Sequence, residues 1–148
     1  MIREAIPGDI PVLVSLASAM HQESRFRVFP FSDRKIEATF RACIELPHGI
    51  AFAAERAGRV IGFAAGAICD HPLFDMQMAF EYGIYVLPEH RGSLAGLRLL
   101  RAYVQRARDA GVMDINAGVT TAISLDRTAR LYELAGLYPI GSLFNTTR

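Results

Sequence analysis

Between residues 76 and 110 the chain changes its hydrophobic period once, and that change constrains the fold more than any other feature. Met76, Met78, Phe80, Tyr82, Ile84 and Val86 alternate with Gln77, Ala79, Glu81, Gly83 and Tyr85, the two-residue period of a strand over 76–86. Pro88 ends the run, and Gly92 and Gly96 mark a turn. Leu97, Leu100, Val104 and Ala107 then form an apolar stripe opposite Arg98, Arg101, Gln105 and Arg108, the pattern of an amphipathic helix over 92–110 closed by Gly111. A strand that passes through a glycine-bearing turn into a long helix points to a mixed α/β architecture.

The remaining segments extend that pattern. A short strand over 2–5 is broken at Pro7, Gly8 and Asp9, with Asp9 as the expected cap of a helix over 10–21. An aromatic loop, 26–31, precedes a helix capped by Ser32, whose stripe is Ile36, Phe40, Cys43 and Ile44. Strands over 50–56 and 59–69 meet at Ala57 and Gly58, a tight hairpin, and the second is apolar on both faces and therefore central. A strand over 113–119, a helix over 126–135 and a last strand over 137–144 complete the order β-α-α-β-β-β-α-β-α-β. The expected fold class is α/β: a single mixed, mostly antiparallel sheet with helices on both faces.

Composition bounds the function. A chain of 148 residues that is 51% hydrophobic is read as one domain, 1–148, able to bury a core without metal or disulfide staples. Cys43 and Cys69 have no short spacing and read as free, buried thiols in a reducing compartment. The longest apolar stretch, 60–69, falls far short of the roughly 20 residues that span a bilayer, and Arg3 and Glu4 precede no apolar signal core, so a cytoplasmic location and no membrane partner are expected. A net charge of +1 argues against binding nucleic acid by bulk electrostatics. His21, His71 and His90 have no partner at metal-ligand spacing, so no metal is expected.

The turn itself looks chemical. A helix N-terminus presents unpaired N–H groups and a positive dipole end, and glycines let a phosphate approach the main chain. Among phosphate-binding loops, a Walker loop is disfavoured because Leu97 and Arg98 follow Gly96 where lysine and a hydroxyl are required. A dinucleotide loop needs an acid at the far end of the next strand, whereas Asp114 lies at the near end. The pattern [QR]-x-x-G-x-[GA] of acyl-coenzyme A binders matches Arg91 and Gly96 at its first and last positions, with Leu94 in place of the middle glycine.

Together with Leu131, Tyr132, Glu133, Leu134, Ala135, Gly136 and Leu137, close to a Y-E-x-x-G-F ending, these residues resemble the GNAT superfamily of N-acetyltransferases, including its small phage and prophage-type members. The resemblance in element order covers nearly the whole chain. It implies direct transfer of an acetyl group from acetyl-coenzyme A to a primary amine, on a small molecule or a protein, with no metal. It also implies that Ile84, Tyr85 and Val86 pair with the pantetheine arm. The cradle for the pyrophosphate would be Arg91, Gly92, Ser93, Leu94, Ala95 and Gly96, with the Val86 N–H facing the developing oxyanion. Glu81 corresponds to the family's general base and Tyr132 to its proton-donating tyrosine.

From the residues alone, Glu81 is either a solvent-facing carboxylate or a buried one whose raised pKa suits proton transfer. Strict alternation places it with Gln77 and Tyr85, although a bulge near Gly83, a family feature, reverses that parity. Tyr132 either packs its ring on the sheet or donates a proton, and Phe26, Phe29 and Phe31 serve equally as core or as acceptor pocket. Leu125 stands where the family commonly has asparagine, leaving Asp126 as a substitute contact. A non-catalytic acyl-coenzyme A binding or regulatory module remains the rival reading, and the sequence leaves monomer and homodimer open.

Overall fold

The computed structural model describes residues 1–147. Five strands form one sheet in the order β1 (Ile2–Glu4), β2 (Gly49–Arg56), β3 (Arg59–Asp70), β4 (Gln77–Val86), β5 (Asp114–Asn116). The first four are antiparallel neighbours and β5 joins β4 in parallel, so the sheet is mixed and mostly antiparallel. The β2–β3 hairpin turns at Ala57 and Gly58, both at positive φ, as a two-residue turn compatible with strand twist requires. β3 occupies the centre and is buried from Ile61 to Ile68.

Helices cover both faces. On one, α1 (Ile10–Glu23) and α2 (Asp33–Glu45) bury Leu13, Leu16, Phe40 and Cys43 against Ala51, Phe63, Ala65 and Tyr85. On the other, α3 (Ala95–Asp109) packs Leu99, Leu100, Tyr103, Val104 and Ala107 against Ile50, Ala54, Ile61, Ala64 and Ala79. The α3 seam thus includes Leu99 and Tyr103, both fully buried, in place of the expected Leu97. Tyr103 tolerates that depth because its hydroxyl donates to the Asn116 carbonyl at 2.9 Å. α4 (Leu125–Leu134) lies beside α3, and Arg101 donates to the Leu134 carbonyl at its end.

Several expectations are corrected. The Asp9 carboxylate does not cap α1; it accepts a forked pair of bonds from Arg3 and one from the Ile6 N–H. Cys43 is buried but Cys69 is exposed, and both are free thiols. Residues 137–144 form no strand: Tyr138, Ile140, Leu143 and Phe144 are all more than three-quarters exposed. Pro139 and Gly141 weaken strand formation there. The strand expected over 113–119 is ordered as β5 only for Asp114–Asn116, after which the chain leaves β4.

β4 itself carries a register shift just past that pairing. Gly66 pairs with Glu81 and Ala65 with Gly83, so Tyr82 is an extra, unpaired residue. The bulge reverses the side-chain parity: Glu81 points to the α3 and α4 face, while Gly83 and Tyr85 point toward α1. Beyond residue 80 the β5 side of β4 has no neighbouring strand, which leaves a gap along that edge of β4.

Candidate active site

The gap continues into a cleft of about 480 Å³. Its walls are β4 from Phe80 to Val86, the β4–α3 turn, the β5–α4 loop and the inner side of α4. The antiparallel register decides what β4 offers. Leu87 donates to the Ile61 carbonyl at 2.9 Å, so alternate residues Val86 and Ile84 turn their N–H and C=O groups away from β3 and into the gap. The Val86 carbonyl is already taken, accepting from Arg91 Nε at 2.9 Å.

At the β4–α3 turn, Gly92 has φ +88°, a conformation that favours glycine, whereas Leu94 has φ −78°, which leucine adopts without strain. The leucine in the middle of the loop therefore keeps the backbone geometry available. Ser93 Oγ donates to the His90 carbonyl at 2.8 Å and accepts from the Ala95 N–H at 3.3 Å. The N–H groups of Gly92, Ser93, Leu94, Gly96 and Leu97 have no partner among the described residues. These orphan donors and the positive end of α3 form a cradle for an anion. The pattern fits a diphosphate whose oxygens need several donors and no side-chain charge.

Arg91 behaves differently from the rest of the loop. Its Nη1 and Nη2 donate to the two carboxylate oxygens of Glu23 at 2.8 and 3.0 Å, and its guanidinium lies 5.2 Å from the Tyr85 ring centre. The Tyr85 hydroxyl donates to the same carboxylate. Arg91 beside it holds the Glu23 carboxyl below the usual range. Tyr85 therefore lines the cleft with its hydroxyl committed to Glu23, and its phenol is pushed upward, first by burial.

Glu81 and Tyr132 meet at the inner end of the cleft. Glu81 is only 8% exposed, and its Oε2 accepts from the Gly118 N–H and the Tyr132 hydroxyl, each at 3.2 Å. Oε1 accepts no hydrogen bond among the described residues and is not fully buried, which leaves it as the oxygen of this cleft-lining carboxylate free for a ligand. Burial raises the carboxyl from 4.5 to about 7, against the opposing hydrogen bonds from Gly118 and Tyr132. Tyr132 is pushed upward by burial and by the adjacent carboxylate, and its hydroxyl also lies 3.1 Å from the Gly118 carbonyl.

The structure brings Glu81, Ile84, Tyr85, Val86, Arg91, Gly92, Ser93, Gly96 and Tyr132 to one cleft; Leu94 and Ala95 stand just outside its lining. Leu125 and Asp126 do not line it, and Ser124, Arg127 and Thr128 do. Phe26, Phe29 and Phe31 do not line it either. Sequence reasoning missed Glu23 and Gly118, which lie 68 and 37 residues from their partners Arg91 and Glu81, beyond the reach of any local pattern.

The sequence profile of the acetyltransferase (GNAT) family matches residues 16–137. The L-methionine sulfoximine/L-methionine sulfone acetyltransferase of Pseudomonas paraeruginosa (strain DSM 24068 / PA7) is 27% identical over 150 residues, covering 97% of this chain and 86% of that protein. Among solved structures, a predicted acetyltransferase from Clostridium acetobutylicum with acetyl-CoA superposes with TM-score 0.77 at 20% identity, covering 98% of this chain and 94% of that one. The aminoglycoside antibiotic 6'-N-acetyltransferase AAC(6')-IG from Acinetobacter haemolyticus gives TM-score 0.76 at 14% identity, covering 100% and 97%. A profile that spans most of the chain, together with a curated relative named as an acetyltransferase, establishes that the chain belongs to the GNAT family and is an N-acetyltransferase.

Proposed function

We propose that the protein transfers the acetyl group of acetyl-coenzyme A directly to the primary amine of a small molecule. The observation that carries this reading is the meeting of Glu81 and Tyr132, 3.2 Å apart, in the same cleft as the unpartnered N–H groups of the β4–α3 turn. The N–H groups of Gly92, Ser93, Leu94 and Gly96 would hold the pyrophosphate, with the Ala95 N–H committed to Ser93 Oγ, and the outward main-chain groups of Ile84 would hold the pantetheine arm. Acetyl-coenzyme A supplies an activated acetyl thioester.

The residues of the chain then have defined work. An alkylammonium of pKa about 10 must lose a proton before its nitrogen is nucleophilic. Oε1 of Glu81 faces the cleft and, with its pKa near 7, accepts that proton at neutral pH. Tyr132 holds a proton on its phenol oxygen, available to a departing sulfur. The Val86 N–H points into the gap as a donor for a developing oxyanion.

Charge in the cleft narrows the acceptor. Glu81 is the only acid among the described residues that line it, the Arg91 guanidinium is paired with Glu23, and Arg127 is a lining cation with no carboxylate partner among the described residues. Such a lining suits a zwitterionic amine better than a polycation, in keeping with the methionine-derived acceptors named for the Pseudomonas relative. The test is release of coenzyme A from acetyl-coenzyme A across an amine panel containing methionine sulfoximine, methionine sulfone, an aminoglycoside and spermidine, with calorimetry of coenzyme A against ATP and NAD. Turnover with the zwitterions is expected. Coenzyme A binding without turnover on any amine would favour a non-catalytic acyl-coenzyme A module, and preference for ATP or NAD would overturn the cradle.

A further inference from the structure

The end of α1 and the turn after it touch both walls of the cleft within three residues. Glu23 takes the forked bond from Arg91, which in turn donates to the Val86 carbonyl, so it holds the β4 wall and the start of the cradle. Two residues later, the Arg25 N–H donates to the Thr121 carbonyl at 2.9 Å and Arg25 Nε donates to the Thr120 carbonyl at 2.9 Å, holding the β5–α4 wall. Between them Ser24 is 1% exposed, and its hydroxyl donates to the His21 carbonyl and accepts from the Phe26 N–H, which fixes the turn. β4 and β5 pair only through residue 80 of β4, so no ladder hydrogen bonds hold the two walls together where the cleft opens.

We propose that residues 23–25 form a strap across the open end of the sheet, with Glu23 and Arg25 as positioning residues that set the width of the cleft and the aim of the cradle. This rests on the cleft being the coenzyme A site. Glu23 acts on the β4 wall through two partners, the Arg91 guanidinium and the Tyr85 hydroxyl; with its guanidinium engaged by Glu23 and Val86, Arg91 orients the turn rather than offering its charge to a phosphate. Orphan N–H donors bind an anion well only if they already converge before it arrives, because ordering them at the moment of binding costs affinity. Half-exposed ion pairs contribute little to global stability, so the strap acts on affinity more than on the melting temperature.

The experiment measures coenzyme A affinity by calorimetry, together with kcat and KM for acetyl-coenzyme A, for the parent, Glu23→Ala, Arg91→Ala, their double variant, Glu23→Gln and Arg25→Ala. Glu23→Ala is expected to weaken coenzyme A binding by roughly tenfold, with a larger change in KM than in kcat, and Glu23→Gln to recover part of it. The double variant should lose clearly less than the sum of the Glu23→Ala and Arg91→Ala losses, because both single variants remove the same ion pair and only the Tyr85 contact of Glu23 is left to lose. Arg25→Ala should weaken binding while keeping the main-chain bond to Thr121. Additive losses in the double variant, or parental affinity in folded Glu23→Ala, Glu23→Gln and Arg25→Ala, would overturn the strap and leave the coenzyme A site standing. A parent that does not bind coenzyme A defeats both.

Discussion

The Tyr132 hydroxyl lies 3.2 Å from Oε2 of Glu81 and 3.1 Å from the Gly118 carbonyl, two acceptors for one proton. With Glu81 ionised, the phenol donates to the carboxylate. With Glu81 protonated at Oε1, Oε2 can still accept from the phenol but no longer carries the full charge, and the Gly118 carbonyl competes for the same proton. The base and the acid of the proposed reaction are therefore one coupled unit, in which the charge on Glu81 sets how strongly the phenol proton is held.

A first consequence concerns rate and pH. Because the Glu81 carboxyl is raised to about 7, kcat/KM should climb with pH through that region as the base ionises. Glu81→Gln should flatten the climb and lower kcat/KM by about 10² to 10⁴ near neutrality. The deficit should narrow at high pH, where the amine is already free. A pH–rate profile of both proteins checks this, and parental rates in the variant would remove Glu81 from the chemistry.

Stability should respond to the same group with a definite sign. The folded-state pKa lies above the ordinary 4.5, so between about 4.5 and 7 the native state binds more protons than the unfolded one. Stability then falls as pH rises through that window, by about 3 kcal/mol from this group. Glu81→Gln, which carries no such group, should melt several degrees above the parent at pH 8 and lose most of that advantage by pH 5. Thermal denaturation at the two pH values decides it; a constant difference would mean that the carboxyl is not raised.

Tyr132→Phe removes the hydroxyl and leaves the ring in place. We expect kcat to fall by roughly 10 to 10³ and stability to drop by about 1 kcal/mol, the ordinary value of one lost hydrogen bond. The apparent pKa in kcat/KM should also move upward, because the Tyr132 hydrogen bond holds Glu81 down against the effect of burial. A lower kcat with an unmoved profile would separate the two residues that the structure couples.

Gly96 tests the cradle. A Cβ there would meet Leu131 Cδ2 at 3.4 Å, a contact a flexible side chain absorbs. Gly96→Glu should therefore fold while placing bulk and negative charge among the orphan N–H donors, and coenzyme A binding should be lost in calorimetry. Unchanged affinity in the folded variant would take the β4–α3 turn out of the binding site.

Much of this architecture was legible because it is written in periodicity. The alternation over 76–86, the helical stripe that follows and the two-faced apolar run of β3 are local patterns, set by which side of an element must be buried. The glycine at 92 likewise announces a turn that needs positive φ. The segment over 137–144 shows the limit: its apolar residues suit a strand although Pro139 and Gly141 weaken one, and a strand exists only where another offers main-chain partners, about which periodicity carries no information.

The sequence by itself determined the order of elements as far as α4 and the glycine-bearing turn between β4 and α3, since these follow from residue type and spacing along a few turns of chain, while Glu81 and Tyr132 came forward as candidates through the resemblance to the GNAT family. Tertiary structure alone decided which way Glu81 faces, because one unpaired residue, Tyr82, reverses the parity of β4. It alone brought Tyr132, Gly118 and Glu23 to their partners, and with them the raised carboxyl and the engaged guanidinium of Arg91. A pKa is set by desolvation and by charges or donors within a few ångströms, and those neighbours come from positions tens of residues apart that only the closed sheet and its helices bring together.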